Sequence, residues 1–287
     1  MNSTNAVQPI TIEDAANIRS ALAAGRFVPP NGTGGTALSL SAAVEFAGWL
    51  AQANGSSDTL RQALGRIIND CPRFRAAENI LQGKIGQAAF PGVENDVELT
   101  RIGKMDGADV AWHDYLQRFS DALARRSMDK KYARSLAMSL HEMADNVVQH
   151  AANNGDATPR SVVGWHAFAG GAAFVVLDLG RGIRRSLVMN PKWSGLANDR
   201  ECLRSVLRQH ASSRVAVTEG NGFKDVVKNF VERNGVLRIR TGSCEVVAEG
   251  TLSDSRERYL PLPILNGTRA SAWCRPYSKS LGTDPEI

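Results

Sequence analysis

The chain has 287 residues and a net charge of +5, with 43% hydrophobic and 22% charged residues, which is typical of a globular protein with one large or two modest domains. Its most apolar stretch, residues 172–177, is too short to cross a bilayer, and residues 1–15 lack the basic start and apolar centre of a secretory signal. The four cysteines are widely spaced, which argues against a zinc site or disulfides and favours a cytoplasmic location, and the mild positive charge does not indicate a nucleic-acid partner.

The first third, residues 1–105, is predicted to be a helical region. Helices are expected over 11–24, 40–54, 57–69 and 75–87 after a loose tail of ten residues, and strand signals are scarce before residue 95. The glycine-rich segment 32–36 lacks the Gly-Lys-Ser/Thr ending of a phosphate-binding P-loop, and no predicted strand precedes it, so we interpret it as a connector. The role of this region stays open: it could pack on the remaining chain or form a dimer or partner surface.

After residue 109 the sequence predicts longer helices and several strands. Long helices are predicted over 111–127 and 130–150, and a further helix over 225–233. A hairpin is expected from two strand-like runs around Gly170-Gly171, and the stretch 181–214 reads as basic and irregular. Together these elements predict an α+β fold, a two-layer α/β sandwich with helices on one face, over residues 106–276, followed by a tail at 277–287. The predicted strands are 161–166, 172–177, 236–240, 244–248 and 269–274.

The helix over 130–150 carries a polar stripe beside its apolar one. Glu142, Asn146 and His150 follow one another at intervals of four, so they share a face at the edge of the core. The carboxylate could orient a water or accept a proton, and the amide oxygen could reach Mg²⁺. On its own such a pair is more often a solvated helix face. A metalloprotease reading of His141-Glu142 fails, because Asp145 stands where the second histidine belongs.

Two glycine-containing turns follow. Asp178 ends a predicted buried strand and is followed by Gly180 and Gly182, so it either caps a tight turn or accepts a hydrogen bond from an amino group of a ligand. The glycines would let the backbone approach that ligand. The run 220–224, Gly-Asn-Gly-Phe-Lys, precedes a predicted helix and is typical of a phosphate cradle, although ordinary turns use such residues as well.

In this order and at this spacing, the motifs resemble those of the GHKL (histidine-kinase-like) ATPases, which have the Bergerat fold. Residues 142–150 resemble the N-box, 178–182 the box that contacts adenine, and 220–223 the phosphate-side glycine box. Asn266-Gly267-Thr268, placed before the last predicted strand, is similar to the closing Gly-Thr of the family. The resemblance covers residues 106–276.

The resemblance implies a mixed, mostly antiparallel sheet that binds ATP and Mg²⁺. Glu142 would activate or position the hydrolytic water, and Asn146 would coordinate Mg²⁺. Asp178 would bind the adenine amino group, directly and through a water shared with Thr268, and residues 184–219 would form a mobile lid. The residues expected to contact the nucleotide are Asp145, Asn146, His150, Asp178, Gly180, Gly182, Ile183, Gly220, Asn221, Gly222, Phe223, Lys224 and Thr268.

Departures from the family pattern narrow the expected function. Lys224 stands where another glycine is common, so it either reaches a phosphate or weakens binding. No helix hairpin presents a phosphoacceptor histidine, and a topoisomerase or repair protein would need a transducer domain after Pro276. The expected function is a slow cytoplasmic ATPase whose lid motion signals to a protein partner, with a homodimer possible. The alternatives are a non-hydrolysing ATP-dependent module and an anti-sigma-factor-like Ser/Thr kinase.

Overall fold

The computed structural model describes residues 38–53, 68–92, 95–102, 109–151, 160–169, 171–209, 211–213, 235–251 and 254–274, with further positions within 15–18, 61–65 and 226–230. Six α-helices have defined bounds in these residues: α1 Leu40–Gln52, α2 Pro72–Leu81, α3 Val110–Arg125, α4 Lys130–His150, α5 Gly182–Leu187 and α6 Asp199–Gln209. Six strands accompany them: β1 Gln87–Phe90, β2 Asn95–Thr100, β3 Ser161–Phe168, β4 Gly171–Asp178, β5 Val236–Thr251 and β6 Asp254–Cys274.

The six strands form one open sheet in the order β1-β2-β3-β4-β6-β5, and every neighbouring pair is antiparallel. The fold is therefore α+β, as the sequence predicts, and the expected hairpin of β3 and β4 is confirmed. The expectation of a mixed sheet is wrong for the described strands. No two neighbouring strands among them are parallel. The consecutive strands β4 and β5 run in the same direction, but β6 lies between them and is antiparallel to both.

The prediction of a helical first third is wrong at residues 87–90 and 95–100. These residues form β1 and β2, and β2 pairs with β3, so the N-terminal region contributes to the same sheet as the predicted ATP-binding domain. Both strands are short and rich in Gln, Ala, Asn, Asp and Glu, residues that sequence patterns do not associate with strands. The helix expected over 75–87 ends at Leu81. The helices expected over 11–24 and 57–69 lie largely outside the described residues.

Three expectations about residues 181–274 are also wrong. Segments 236–240 and 244–248 belong to one strand, β5, whose register shifts at Gly242 without interrupting it. Residues 266–268 lie inside β6 rather than before it. The stretch 181–214, expected to be irregular, contains α5 and α6. Its dense arginines conceal the apolar spacing of Cys202, Leu203 and Val206, which are buried.

Helix α4 begins and ends at the predicted residues. Asp129 caps it by accepting a hydrogen bond from the Tyr132 amide at 3.0 Å, and Asp109 caps α3 in the same way through the Trp112 amide at 3.2 Å. The buried side chains of both helices pack on the face of the sheet formed by Trp165, Phe174 and Val176. This helix layer on one face of the sheet is consistent with a two-layer α/β sandwich.

Helices α1 and α2 cover part of the opposite face. They form a second apolar core with side chains of the sheet such as Val162, Val175 and Leu177. Along β3 and β4 these side chains alternate with those of the first core, so they face the opposite side of the sheet. The backbone of α1 lies close to the sheet at Gly48, where a Cβ atom would be 2.7 Å from Leu177 Cδ2. None of the helices in the described residues is both long and apolar enough to cross a membrane.

A buried ionic cluster joins α1 to β5 and β6. Glu45 of α1 is 2% exposed and forms ion pairs with Arg240 and with Arg269, whose Nε lies 2.6 Å from Glu45 Oε2. Glu245 pairs with Arg269 and, at 3.2 Å, with Arg238. Buried charges are tolerated only when paired, so this cluster fixes α1 in one position on the sheet. The sequence pattern did not reveal it, because its members lie on three separate elements.

Candidate functional site

The polar stripe of α4 lies half-buried at the edge of the first core. Glu142, Asn146 and His150 share this face, as their spacing predicts, and Asp145 lies beside it. Asn146 Nδ2 donates to the backbone oxygen of Glu142 at 2.9 Å, and Asp145 accepts a hydrogen bond from Gln149. An amide binds a cation through its oxygen, and the Asn146 oxygen is not used in this hydrogen bond.

Asp178 and Thr268 lie opposite each other at the end of the sheet. They are the last pair between β4 and β6, and Asp178 is only 3% exposed. Its Oδ1 accepts from the Gly180 amide at 2.9 Å. Burial raises the pKa of Asp178 to about 7, against the opposing effect of hydrogen bonds from the Gly180 amide and from the hydroxyl and amide of Thr268. A carboxyl held in this way can accept a further hydrogen bond from a donor on a ligand.

The turn after Asp178 contacts the end of α4. A Cβ atom at Gly180 would lie 2.2 Å from the backbone oxygen of Ala151, and the Arg181 amide donates to that same oxygen at 3.1 Å. Ala151 follows His150, the last residue of α4. The structure therefore brings the Asp178 turn against the helix that carries Glu142 and Asn146, and it requires a glycine at position 180 for that approach.

Thr241 of β5 is a residue that the sequence analysis missed. Its hydroxyl donates to the Gly267 oxygen at 3.1 Å and accepts from the Ile183 amide at 3.0 Å. Gly182, with φ of +75°, lies against this hydroxyl: a Cβ there would be 2.9 Å from Thr241 Oγ1. Thr241 thus joins the Gly182–Ile183 turn to β6. A threonine within a strand is common, so no sequence signal distinguishes it.

The predicted glycine box, Gly220 to Lys224, lies outside the described residues, but its flanks do not. On one side, Ser213 Oγ lies 2.9 Å from His150 Nδ1. On the other side, Asn229 Nδ2 donates to Ser139 Oγ at 3.0 Å. Ser139 and His150 share a face of α4 about 16 Å apart along the axis, and Glu142 and Asn146 lie between them. The described ends of this segment therefore bracket the polar stripe.

The described residues contain no group of three or more His, Cys, Asp or Glu side chains that could hold a metal ion. A cation at α4 would instead be held by Asn146 Oδ1 together with oxygens of a bound ligand. Mg²⁺ in proteins usually keeps several waters and is held by one or two carboxylates beside phosphates. The polar stripe offers one amide oxygen, that of Asn146, so such an ion would depend on waters and ligand phosphates for its other bonds.

Comparison of the chain with protein-family models and with curated proteins finds no match.

Proposed function

We propose that this chain is a GHKL-type protein of the cytoplasm that binds ATP with Mg²⁺ in a Bergerat-type fold. The observation that carries the proposal is the pairing of Asp178 with Thr268, a buried carboxyl beside a threonine at the end of two strands. Gly180 and Gly182 leave the adjoining turn without side chains. An acceptor in such a place suits the amino group of adenine, with the flat ring against the turn.

The phosphate side of the site would lie along α4. Asn146 would hold Mg²⁺ through Oδ1, and Glu142, one turn earlier, would orient a water for attack on the γ-phosphate. When bound, Mg²⁺ neutralises the phosphate charge. Gly220 and Gly222 would line the phosphates and Lys224 could reach one of them, and the described flanks of their segment contact the helix on either side of Glu142 and Asn146.

Slow hydrolysis with signalling to a partner protein is the function that this arrangement supports best. Residues 184–219 would act as the lid. Their helix α6 forms a small cluster with Leu187 of α5, but its Leu203 also lies in the first core and its Asp199 accepts two hydrogen bonds from Ser243 of β5. This part of the lid is therefore anchored to the sheet, and a signal to a partner would pass through the rest of the segment.

A nucleotide titration tests the binding site. We expect wild type to bind Mg-ATP with micromolar affinity or better, and Asp178→Asn to bind at least tenfold more weakly, because it loses the anionic acceptor for the adenine amino group. Asp121→Asn, at an exposed position of α3, is the matched control. An unchanged affinity in Asp178→Asn would show that the adenine site is elsewhere.

A turnover assay separates hydrolysis from binding. Glu142→Ala should retain Mg-ATP binding and lose phosphate release by a factor of about 100, the range expected for a missing general base. Met138→Ala, at a 53% exposed position one turn earlier on α4, is the control. Tight binding without phosphate release in wild type would instead identify the non-hydrolysing module. Transfer of the γ-phosphate to Ser or Thr of another protein would identify the kinase.

A further inference from the structure

Helix α1 lies directly behind the two strands that carry the Asp178–Thr268 pair. Its Gly48 contacts Leu177, the residue before Asp178, and its Glu45 pairs with Arg269, the residue after Thr268. Side chains alternate along a strand, so Leu177 and Arg269 face α1 while Asp178 and Thr268 face the other side. The N-terminal helix therefore supports the back of the proposed adenine site.

The last residue of α1 makes a more specific contact. Gln52 Nε2 donates to the backbone oxygen of Asn266 at 2.7 Å, and Gln52 Oε1 accepts from the Asn266 amide at 3.1 Å. Strand β4 ends opposite Thr268, so it does not reach Asn266. The Gln52 side chain thus pairs with β6 in the way that the next residue of a neighbouring strand would.

Asn266 and Gly267 form a bulge in β6. Thr241 pairs with Thr268 and Gly242 with Leu265, so two residues of β6 lie between successive partners on β5. Gly267 has φ of +112°, and a Cβ there would lie 2.0 Å from the backbone oxygen of Asp178. The bulge therefore decides how closely β6 approaches Asp178, and with it where the Thr268 hydroxyl is placed.

We propose that Gln52 is a positioning residue for adenine recognition: by holding Asn266, it fixes the bulge that places Thr268 beside Asp178. Thr241 holds the bulge on one flank through the Gly267 oxygen, and Gln52 holds it on the other. Gln52 is only half-buried and ends its helix, so it contributes little to either core. This inference rests on the proposed function, and its test separates the two.

The test compares two nucleotides in the full chain. Inosine triphosphate carries a carbonyl in place of the adenine amino group, so the ratio of its Kd to that of ATP measures recognition of that group. Gln52→Met keeps the length and helix propensity of the side chain and removes both hydrogen bonds. We expect Mg-ATP affinity to fall about fivefold to tenfold and inosine triphosphate affinity to change less, so that the ratio decreases.

Two further variants complete the design. Gln52→Glu keeps the acceptor for the Asn266 amide and loses the donor. Its ratio of the two dissociation constants should therefore lie between those of wild type and Gln52→Met. If Gln52→Met does not fold, Gln52→Glu alone provides the test. Gln117→Met on α3 is the matched control, since it loses a single bond to Asp121 at an exposed position. Its ratio should equal that of wild type.

The outcomes are distinct. If wild type prefers ATP and the Gln52 variants keep the wild-type ratio, the positioning role is refuted and the proposed function stands. An equal loss of affinity for both nucleotides would also refute it, because a general structural effect does not discriminate between them. If wild type binds neither nucleotide, the proposed function fails and the role of Gln52 fails with it.

Discussion

Replacing the buried carboxyl of Asp178 should stabilise the protein at pH 8 and destabilise it at pH 4, while it removes a ligand contact. Burial raises the pKa of Asp178 from the ordinary value of 3.8 to about 7. Below pH 3.8 the group is protonated in both the folded and the unfolded chain. Between the two values only the unfolded chain releases the proton, so the free energy of unfolding falls as the pH rises through this window. Above pH 7 the full penalty of about 4 kcal/mol applies, at about 1.36 kcal/mol for each pKa unit.

The variant Asp178→Asn has no charge to bury. Asparagine has one accepting oxygen where the carboxylate has two, so a donor among the Gly180 and Thr268 groups is left unpaired, at a cost of about 2 kcal/mol. The variant should therefore be more stable than wild type by about 2 kcal/mol at pH 8. At pH 4, where the penalty has almost vanished, it should be less stable by about 1 kcal/mol.

Urea unfolding followed by tryptophan fluorescence, at one-unit steps from pH 4 to pH 8 and without nucleotide, measures this difference. The difference in free energy of unfolding between Asp178→Asn and wild type should change by about 3 kcal/mol from pH 4 to pH 8, and its sign should reverse. Asp121→Asn controls for the loss of an exposed carboxylate. A difference between wild type and Asp178→Asn that stays constant within 1 kcal/mol from pH 4 to pH 8 would refute the reasoning.

Three further predictions concern the same region. Mg-ATP affinity should weaken as the pH falls below about 7, by up to tenfold per unit, because protonation of Asp178 replaces the anionic acceptor for the amino group with a weaker neutral one. A titration at pH 8, 7 and 6 measures this change, and equal affinities would contradict it. Gly180→Ala should lower the melting temperature by several degrees through the clash with Ala151, whereas Gly86→Ala, where a Cβ meets nothing within 4 Å, should not; equal melting temperatures would contradict the close approach. Glu45→Gln should lower the free energy of unfolding by about 3 kcal/mol, since it leaves the buried Arg240 without its anionic partner and Arg269 with Glu245 alone. A urea titration that shows no loss would contradict the role of the ionic cluster.

Local patterns predicted the elements with strong periodicity. Helix α4 has its predicted bounds because Asp129 caps it and Leu136, Leu140 and Val147 form a continuous apolar stripe. The hairpin of β3 and β4 followed from two apolar runs around a pair of glycines. In contrast, β1 and β2 became strands because β3 offers them a free edge, and a tertiary contact of this kind leaves little trace in a short polar sequence.

The candidate site also combines residues that the sequence predicted with residues that it did not. The proximity of Asp178 and Thr268 could be predicted only from the resemblance to the GHKL family. The two residues are 90 positions apart, and no local sequence rule places them on adjacent strands. Thr241 and Gln52 were missed since each acts through a contact with a bulge, which depends on the register of β5 and β6. Side chains that hold backbone in place need no distinctive neighbours in sequence, so a motif search does not find them.

The attachment of α1 also bears on the order in which the chain can fold. The hydrogen bond from Gln52 to Asn266 joins residues 214 positions apart, and that between Arg240 and Glu45 joins residues 195 apart. On the ribosome, α1 emerges long before β5 and β6 exist, so Glu45 cannot form its ion pairs with Arg240 and Arg269 until those strands have been made. Such distant contacts close large loops and slow the search for the native state. Helix α1 is therefore secured only after β5 and β6 are available, and completion of the proposed adenine site would coincide with that step.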